Sequence, residues 1–497
     1  MDKFQKLLMG LAIFGTALLS AAMLLPALDI TGLFLLYLVI AFLTVPTYIF
    51  KTVFKLDCFY IITLVKTKRF IGFIGKISKC RLWDILADLG LVIGFGAIAV
   101  DCLYGRRFSK GKRILVALAS SAILFALFLG FFIGFFVSPE AEVFPVLILF
   151  SASFAIGGIM LFALVSLAWQ AFDIFSKILI GKTPCPGVVP IIPGVQMPNV
   201  PSFFTPPLSV WGAFLIILVV HEFSHGALMK RCKLKIKSVG IALFGLLPIG
   251  AFVEPDENEL KRLPERQQLR VYAIGPASNI YSMAVFIALI ALASYAFAPM
   301  LNESIESMER AIELDSVVIS NVLEDYDLCG NTIEVPAQGV IEKGWILKSY
   351  NGIELKTLHD LRVAFSMPGR NVSMVFLTSD GLVEKTLERN SRGEIGIQSE
   401  LVYAEGKGPS QEYRGTVFWL SNVGTFLYWL LLLSLAVAMI NFVPMDPFDG
   451  GKIAKIIFLP YFGFLGMGKQ DTEKFIGRLF LWIVAGLLFL NALPLVL

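Results

Sequence analysis

Long apolar runs constrain this chain more than any other feature. They lie at about Leu7–Leu28, Thr31–Phe50, Asp84–Leu103, Leu115–Val137, Phe144–Phe172, Ser209–Met229, Val271–Phe297, Val417–Ile440 and Phe475–Leu497. Each reaches the length, about 20 residues, that a helix needs to cross the hydrocarbon core of a bilayer. Of the 497 residues, 57% are hydrophobic and 16% charged, too little charge to cover a soluble surface. The predicted fold class is a polytopic α-helical membrane protein with eight or nine transmembrane helices. Its net charge of +4 sits in short loops rather than on one continuous face, which argues against nucleic acid as a partner. The six cysteines show no pair spacing and read as buried structural thiols, with neither a disulfide framework nor a thiolate metal site. Charges precede the first run as in a signal peptide. The second run follows almost at once without a cleavage signal, so the two are expected to form an uncleaved transmembrane hairpin.

One long polar segment, about Leu301–Tyr413, interrupts the apolar pattern and alternates apolar with polar residues as half-buried strands do. It is expected to be an inserted small α/β domain. The chain then divides into N-terminal helices (1–180), a first part of the membrane core (181–300), the insertion (301–412) and a second part of the core (413–497). The Pro- and Gly-rich stretch Lys182–Pro207 cannot be a plain helix. Ser238–Pro255 is apolar yet broken by Gly240, Gly245, Pro248 and Gly250. Such backbone survives at membrane depth only when it packs on protein or lines a wet cavity. The basic cluster Lys230–Lys237 places the end of the preceding span in the cytoplasm and the insertion outside. Counting backwards puts Arg106, Arg107, Lys110, Lys112 and Arg113 outside, against the same rule, unless the third run does not cross. The topology of the first five spans is open at this stage.

Chemistry enters at 221–225, His-Glu-Phe-Ser-His, directly after an apolar run. Residues four apart on a helix share a face, so His221 and His225 can offer two imidazole nitrogens to one zinc ion. Glu222 stands one position along, where a general base for the attacking water is needed. Two of the three histidines in the chain are spent here. A glutamate in an apolar span is costly unless it has a function. Catalytic zinc takes three protein ligands, and the third histidine, His359, lies in the insertion, where a surface or core role is expected. A carboxylate must complete the set. Asp446 and Asp449, in Asn-Phe-Val-Pro-Met-Asp-Pro-Phe-Asp-Gly-Gly (441–451), are the two possibilities.

The HExxH helix together with Asn441, Pro444, Pro447, Asp449 and Gly450, spaced NxxPxxPxDG, resembles the signature pair of the site-2 protease family. Gly275-Pro276-Ala277-Ser278-Asn279 is similar to its Gly-Pro-x-x-Asn motif. The likeness covers about Pro190–Lys455 and leaves out the first five spans. It implies a metalloendopeptidase working within the membrane on one catalytic zinc held by His221, His225 and Asp449, with Glu222 as base. Asn279 and Asn441 are then expected to bind the substrate backbone or the developing oxyanion, or else to join helices. The resemblance also implies that Ser238–Pro255 offers a strand edge to an unwound substrate. Glu342–Gly352 (EKGWILKSYNG) resembles a strand–turn segment of PDZ domains, departing from it at Trp345. Implied partners are single-span or signal-peptide-like membrane proteins, cut after an upstream site-1-type protease. The implied location is the cell membrane of a prokaryote, with the active site toward the cytoplasm. The competing readings are a catalytically silent relative that only binds membrane proteins, and a transporter, which would show repeated halves and several intramembrane charges.

Overall fold

A computed structural model describes residues 41–42, 44–59, 61–135, 144–189 and 206–495. The first apolar run, the first half of the second and much of the Pro-rich stretch lie outside the described residues. In chain order the helices are α1 (Ile71–Ile77), α2 (Leu82–Leu103), α3 (Lys110–Phe135), α4 (Phe144–Leu179), α5 (Val210–Arg231), α6 (Glu257–Arg262), α7 (Glu265–Arg310), α8 (Leu358–Ser366), α9 (Gln411–Phe442), α10 (Asp449–Phe458) and α11 (Lys469–Ala492). Among the described residues seven are long and apolar enough to cross a membrane: α2, α3, α4, α5, α7, α9 and α11. The polytopic helical class expected from the apolar runs is thereby borne out.

Two of the seven double back on themselves. α2 leaves helical geometry at Gly96 (φ 56°, ψ −144°) and α4 at Gly158 (φ 61°, ψ −156°), backbone space open in practice only to glycine. The rings of Phe150 and Phe162 are 5.5 Å apart, where a straight helix would separate the residues by about 18 Å. Asp88 and Tyr104, about 24 Å apart on a straight helix, both touch one nitrogen of Arg266, at 2.6 and 3.4 Å. The two turns meet tip to tip. A Cβ on Gly96 would fall 2.6 Å from the Gly158 nitrogen, and one on Gly158 2.4 Å from the Gly94 carbonyl carbon, so no side chain fits at either glycine. The expectation that the fifth run crosses once is corrected accordingly; for the third run the misplaced basic residues leave crossing open in the sequence. Both are helical hairpins, since a glycine inside an apolar run can reverse the chain.

Ser238–Pro255 forms the hairpin of β3 (Ile236–Phe244) and β4 (Leu247–Pro255). An N-terminal hairpin, β1 (Asp57–Phe59) and β2 (Ile62–Thr67), extends it to an antiparallel sheet of order β1-β2-β3-β4. β4 is an edge strand of that sheet.

The insertion is a small α/β domain, with α7 running up to it and α9 leading away. Strands β5 (Leu314–Val322), β8 (Ile346–Tyr350), β10 (Asn371–Thr378), β11 (Gly381–Glu388) and β12 (Ile397–Tyr403) are ordered β11-β10-β8-β5-β12. β9 (Ile353–Glu354) pairs with β8, and a separate hairpin comprises β6 (Tyr326–Leu328) and β7 (Asn331–Ile333). Val317, Ile319, Leu347, Met374 and Phe376 form its buried centre. At its foot the buried Glu309 of α7 accepts from Arg362 Nε of α8 at 2.6 Å.

The reading of all six cysteines as buried thiols is also corrected. Cys185 and Cys329, separated by 144 residues, form a disulfide, and Cys80 is exposed. The bond ties the turn between β6 and β7 to the loop after α4. That loop is itself pinned to the membrane helices. The Gly187 N–H donates to the Asn491 carbonyl (2.9 Å), and the Asn491 side chain donates to the Leu167 carbonyl (2.9 Å).

Candidate metal centre

α5 carries His221 and His225 one helical turn apart, both buried. A third group reaches them from α10. The chain between α9 and α10 turns through Pro444 and Pro447, which cannot donate helical hydrogen bonds. Gly450 and Gly451 then pack against that turn. A Cβ on Gly450 would meet the Phe442 carbonyl oxygen at 2.4 Å, and one on Gly451 the Met445 carbonyl carbon at 2.6 Å. This close packing sets Asp449, the first residue of α10, against the two imidazoles.

The resulting cluster is tight. His221 Nε2 and His225 Nε2 are 3.1 Å apart, and Asp449 Oδ2 lies 3.3 Å from the first and 3.0 Å from the second. Atoms bound at about 2.0–2.1 Å to one tetrahedral zinc stand roughly 3.3 Å from one another, so the donor set matches that ion in type and spacing. Gly275 of α7 keeps the space open: a Cβ there would stand 2.1 Å from His225 Nε2 and 2.7 Å from His221 Nε2.

The groups behind the donors fit the same reading. His225 Nδ1 lies 2.6 Å from the Val271 carbonyl and can only donate to it, which leaves Nε2 as the lone-pair nitrogen. His221 Nδ1 faces the amide of Asn279 at 3.2 Å, and Asn279 Oδ1 is buried without another partner. Turning that amide over lets Oδ1 accept from an Nδ1–H, which satisfies the orphaned oxygen and frees His221 Nε2 for a metal. Asp449 Oδ1 accepts from Lys452 Nζ (3.2 Å), whose ammonium lies 5.3 Å from the centre of the Tyr272 ring.

Not every expected residue joins the cluster. Asp446 instead pairs with Lys455 and is half exposed. His359 is in the inserted domain beside Glu306 and Glu309. Asn279 is fully buried, its side chain against His221. Asn441 lines a cavity of about 520 Å³ together with Glu222, the two histidines and Asp449. Phe252, Val253 and Glu254 of β4 form one wall of that cavity. The Val253 N–H donates to Glu222 Oε2 at 3.0 Å, so the glutamate and the edge strand face each other. Ser238 donates its hydroxyl to Glu254 (2.6 Å) and holds that carboxyl below the usual carboxylate range, with Lys66 adding to the effect. Val271, Tyr272 and Lys452 belong to the site without lying in any motif of the sequence. Only Lys452 had a signal, three residues beyond Asp449 and hence on the same helical face.

Comparison with known proteins shows the family of this chain. An uncharacterized protein of Methanocaldococcus jannaschii is 23% identical over 310 residues, covering 62% of this chain and 69% of its own length. The model of peptidase family M50, the site-2 protease family of zinc metalloproteases, matches residues 210–484, more than half of the chain, from α5 into α11 and including all three residues of the cluster. This chain is a member of peptidase family M50.

Proposed function

We propose that the protein is a zinc-dependent endopeptidase that cuts peptide bonds of membrane-spanning substrates within the bilayer. The observation that carries this reading is the convergence of His221, His225 and Asp449, at 3.0–3.3 Å, on the cavity that also holds Glu222 and the edge of β4. Zinc held there supplies Lewis acidity and makes water a usable nucleophile near neutral pH. The Glu222 carboxylate takes a proton from the attacking water and hands it to the leaving amine. Asn279 and the Val271 carbonyl hold the two imidazoles in the tautomers that binding requires. Lys452 occupies the second oxygen of Asp449. Asn441, on the cavity wall, is the side chain available to a substrate carbonyl.

A transmembrane substrate is already hydrogen-bonded along its backbone and must unwind to be cut. The outer edge of β4, whose Val253 N–H now donates to Glu222, can take up the groups so released by adding the substrate as a further strand. The inserted domain, read as PDZ-like, stands over this membrane core and restricts which ectodomains approach. Disulfides persist in oxidising compartments, which favours an extracytoplasmic insertion. The α2 hairpin returns Arg106 beside Glu265, 3.9 Å away, at the start of α7. On this reading Arg106, Arg107, Lys110, Lys112 and Arg113 join the side of the Lys230–Lys237 cluster, as the positive-inside rule asks. Broken helices are also a transporter device. Here the tips, Ile93–Ala97 and Ala155–Ile159, contain no ionisable residue, so they favour the peptidase.

The deciding experiment is cleavage of a single-span protein in liposomes by wild type, Glu222→Gln and Asp449→Asn, with zinc measured on each. Wild type alone should cut, with zinc retained in Glu222→Gln and weakened in Asp449→Asn. Zinc-bound wild type that cuts none of a panel of such substrates would point to a silent relative, and zinc-free wild type would end the metalloprotease reading.

A further inference from the structure

α2 lies wholly outside the region matched by the family model, yet it braces the elements that build the metal cluster. Near its start, Asp88 accepts from Arg270 Nε and Nη2 at 2.7 Å each and from Arg266 Nη2 at 2.6 Å. One turn earlier, Asp84 accepts from Arg231 Nε at the end of α5 (2.8 Å) and lies 3.3 Å from Arg270. Further along, Gly90 brings α2 so close to α7 that a Cβ there would fall 2.3 Å from the Ala277 Cβ. Gly94 sits against the ring of Phe442, the neighbour of Asn441, with no room for a methyl group. Arg270 immediately precedes Val271, whose carbonyl holds His225, and Ala277 is two residues from Asn279, which holds His221. The outer shell of both imidazoles is thus supplied by the stretch of α7 that α2 grips at two points.

We infer that α2 is a working part of the peptidase and that Asp88 is a positioning residue, fixing the rotation and height of α7 through Arg270. A one-residue slip of α7 turns its groups by about 100° and carries the Val271 carbonyl off His225. The two-pronged Arg270–Asp88 contact is directional enough to oppose that slip, and the close approach at Gly90 opposes tilt. This inference rests on reading the His-His-Asp cluster as a zinc site.

The test uses the full chain in detergent or liposomes, comparing wild type with Asp88→Asn, which keeps the shape and loses the charge, and Asp88→Glu, which keeps the charge. Zinc affinity is measured by chelator competition, cobalt-substituted protein by its visible spectrum, and cleavage as kcat and KM separately. Asp88→Asn should weaken zinc binding about tenfold, the low end for loss of support behind a ligand. It should shift the cobalt bands and lower kcat more than it raises KM, and Asp88→Glu should recover most of each. A purely structural brace would lower the melting temperature and leave metal affinity and spectrum as in wild type; that result overturns the proposal. If Asp88→Asn does not fold, Arg270→Lys takes its place, keeping charge and losing the paired contact. It should weaken zinc several-fold, and wild-type affinity there is equally fatal. Zinc-free wild type sinks this inference together with the metalloprotease reading, whereas zinc-binding wild type with unaltered Asp88 variants sinks this inference alone.

Discussion

The membrane core and the inserted domain use the same residue, glycine, for opposite reasons. Gly275 in α7 has ordinary helical geometry and is needed for space, because the atoms that a Cβ would meet are the imidazole nitrogens of His221 and His225. Gly352, in the turn between β8 and β9, has open space around it and is needed for its backbone, held at φ 78°. The core is therefore a place where single atoms decide the chemistry. The domain is a place where local conformation sustains a fold that holds itself together with its own apolar centre. Substitutions in the two regions should separate along that line.

The largest effect is expected at the centre. Gly275→Ala places a methyl group 2.1 Å from His225 Nε2, too close for any rotamer to relieve, since both rings are tied from behind by Val271 and Asn279. Zinc affinity should fall by on the order of a hundredfold or more, beyond the usual range for outer-shell losses, and cleavage should go with it. Metal content after dialysis against a chelator, together with hydrogen exchange across residues 314–403, checks both halves of the statement. Wild-type zinc in this variant would show that the cluster can open, and that space at Gly275 is not limiting.

How much of this contrast was legible beforehand follows from what a sequence records. Side chains with unusual chemistry at fixed spacing are visible in the sequence: the HExxH spacing points to His221, Glu222 and His225. The choice of Asp449 over Asp446 comes from the family resemblance, and the structure does bring Asp449 to the two histidines. The glycines and prolines of 238–255 exclude a helix, and the stretch is in fact taken up by β3 and β4. The hairpins of α2 and α4 were not read as hairpins, because Gly96 and Gly158 look like any packing glycine in an apolar run. The only hint was the misplaced positive charge at Arg106–Arg113. The Cys185–Cys329 bond joins residues 144 apart with no local signature. The Val271 carbonyl is a backbone atom, and no residue type announces it.

A middle-sized effect tests how the two regions are joined. Cys185→Ser removes the covalent tie between the β6–β7 turn and the loop after α4, while the Arg362–Glu309 contact and the two connecting helices remain. A disulfide typically contributes about 2–4 kcal/mol. The loss should appear as faster hydrogen exchange and easier proteolysis around residues 182–187 and 326–333. Zinc content should be unchanged, and cleavage of a substrate with a short ectodomain should move less than about twofold, well under the tenfold or greater loss that broken support behind a metal ligand brings. A variant that loses zinc would mean that the loop after α4 also supports the metal cluster, and the contrast between core and domain would then be too sharp.

The smallest effect is the cleanest. Asn351 and Gly352 both have positive φ, 49° and 78°, which is the conformation that a two-residue Asn-Gly hairpin demands. Because nothing lies within 4 Å of a Cβ on Gly352, Gly352→Ala introduces no clash. Its whole cost is that of holding an L-residue in the left-handed region, about 1 kcal/mol. Denaturant unfolding of the insertion, followed by the fluorescence of Trp345, which packs against Phe376 in the domain core, should lose about that much stability. Zinc affinity and kcat should stay at wild-type values, since no metal donor or outer-shell group touches this turn. If the same methyl group at Gly352 changed metal binding as well, the insertion would be coupled to the chemistry through its fold, and the contrast between the two regions would fail.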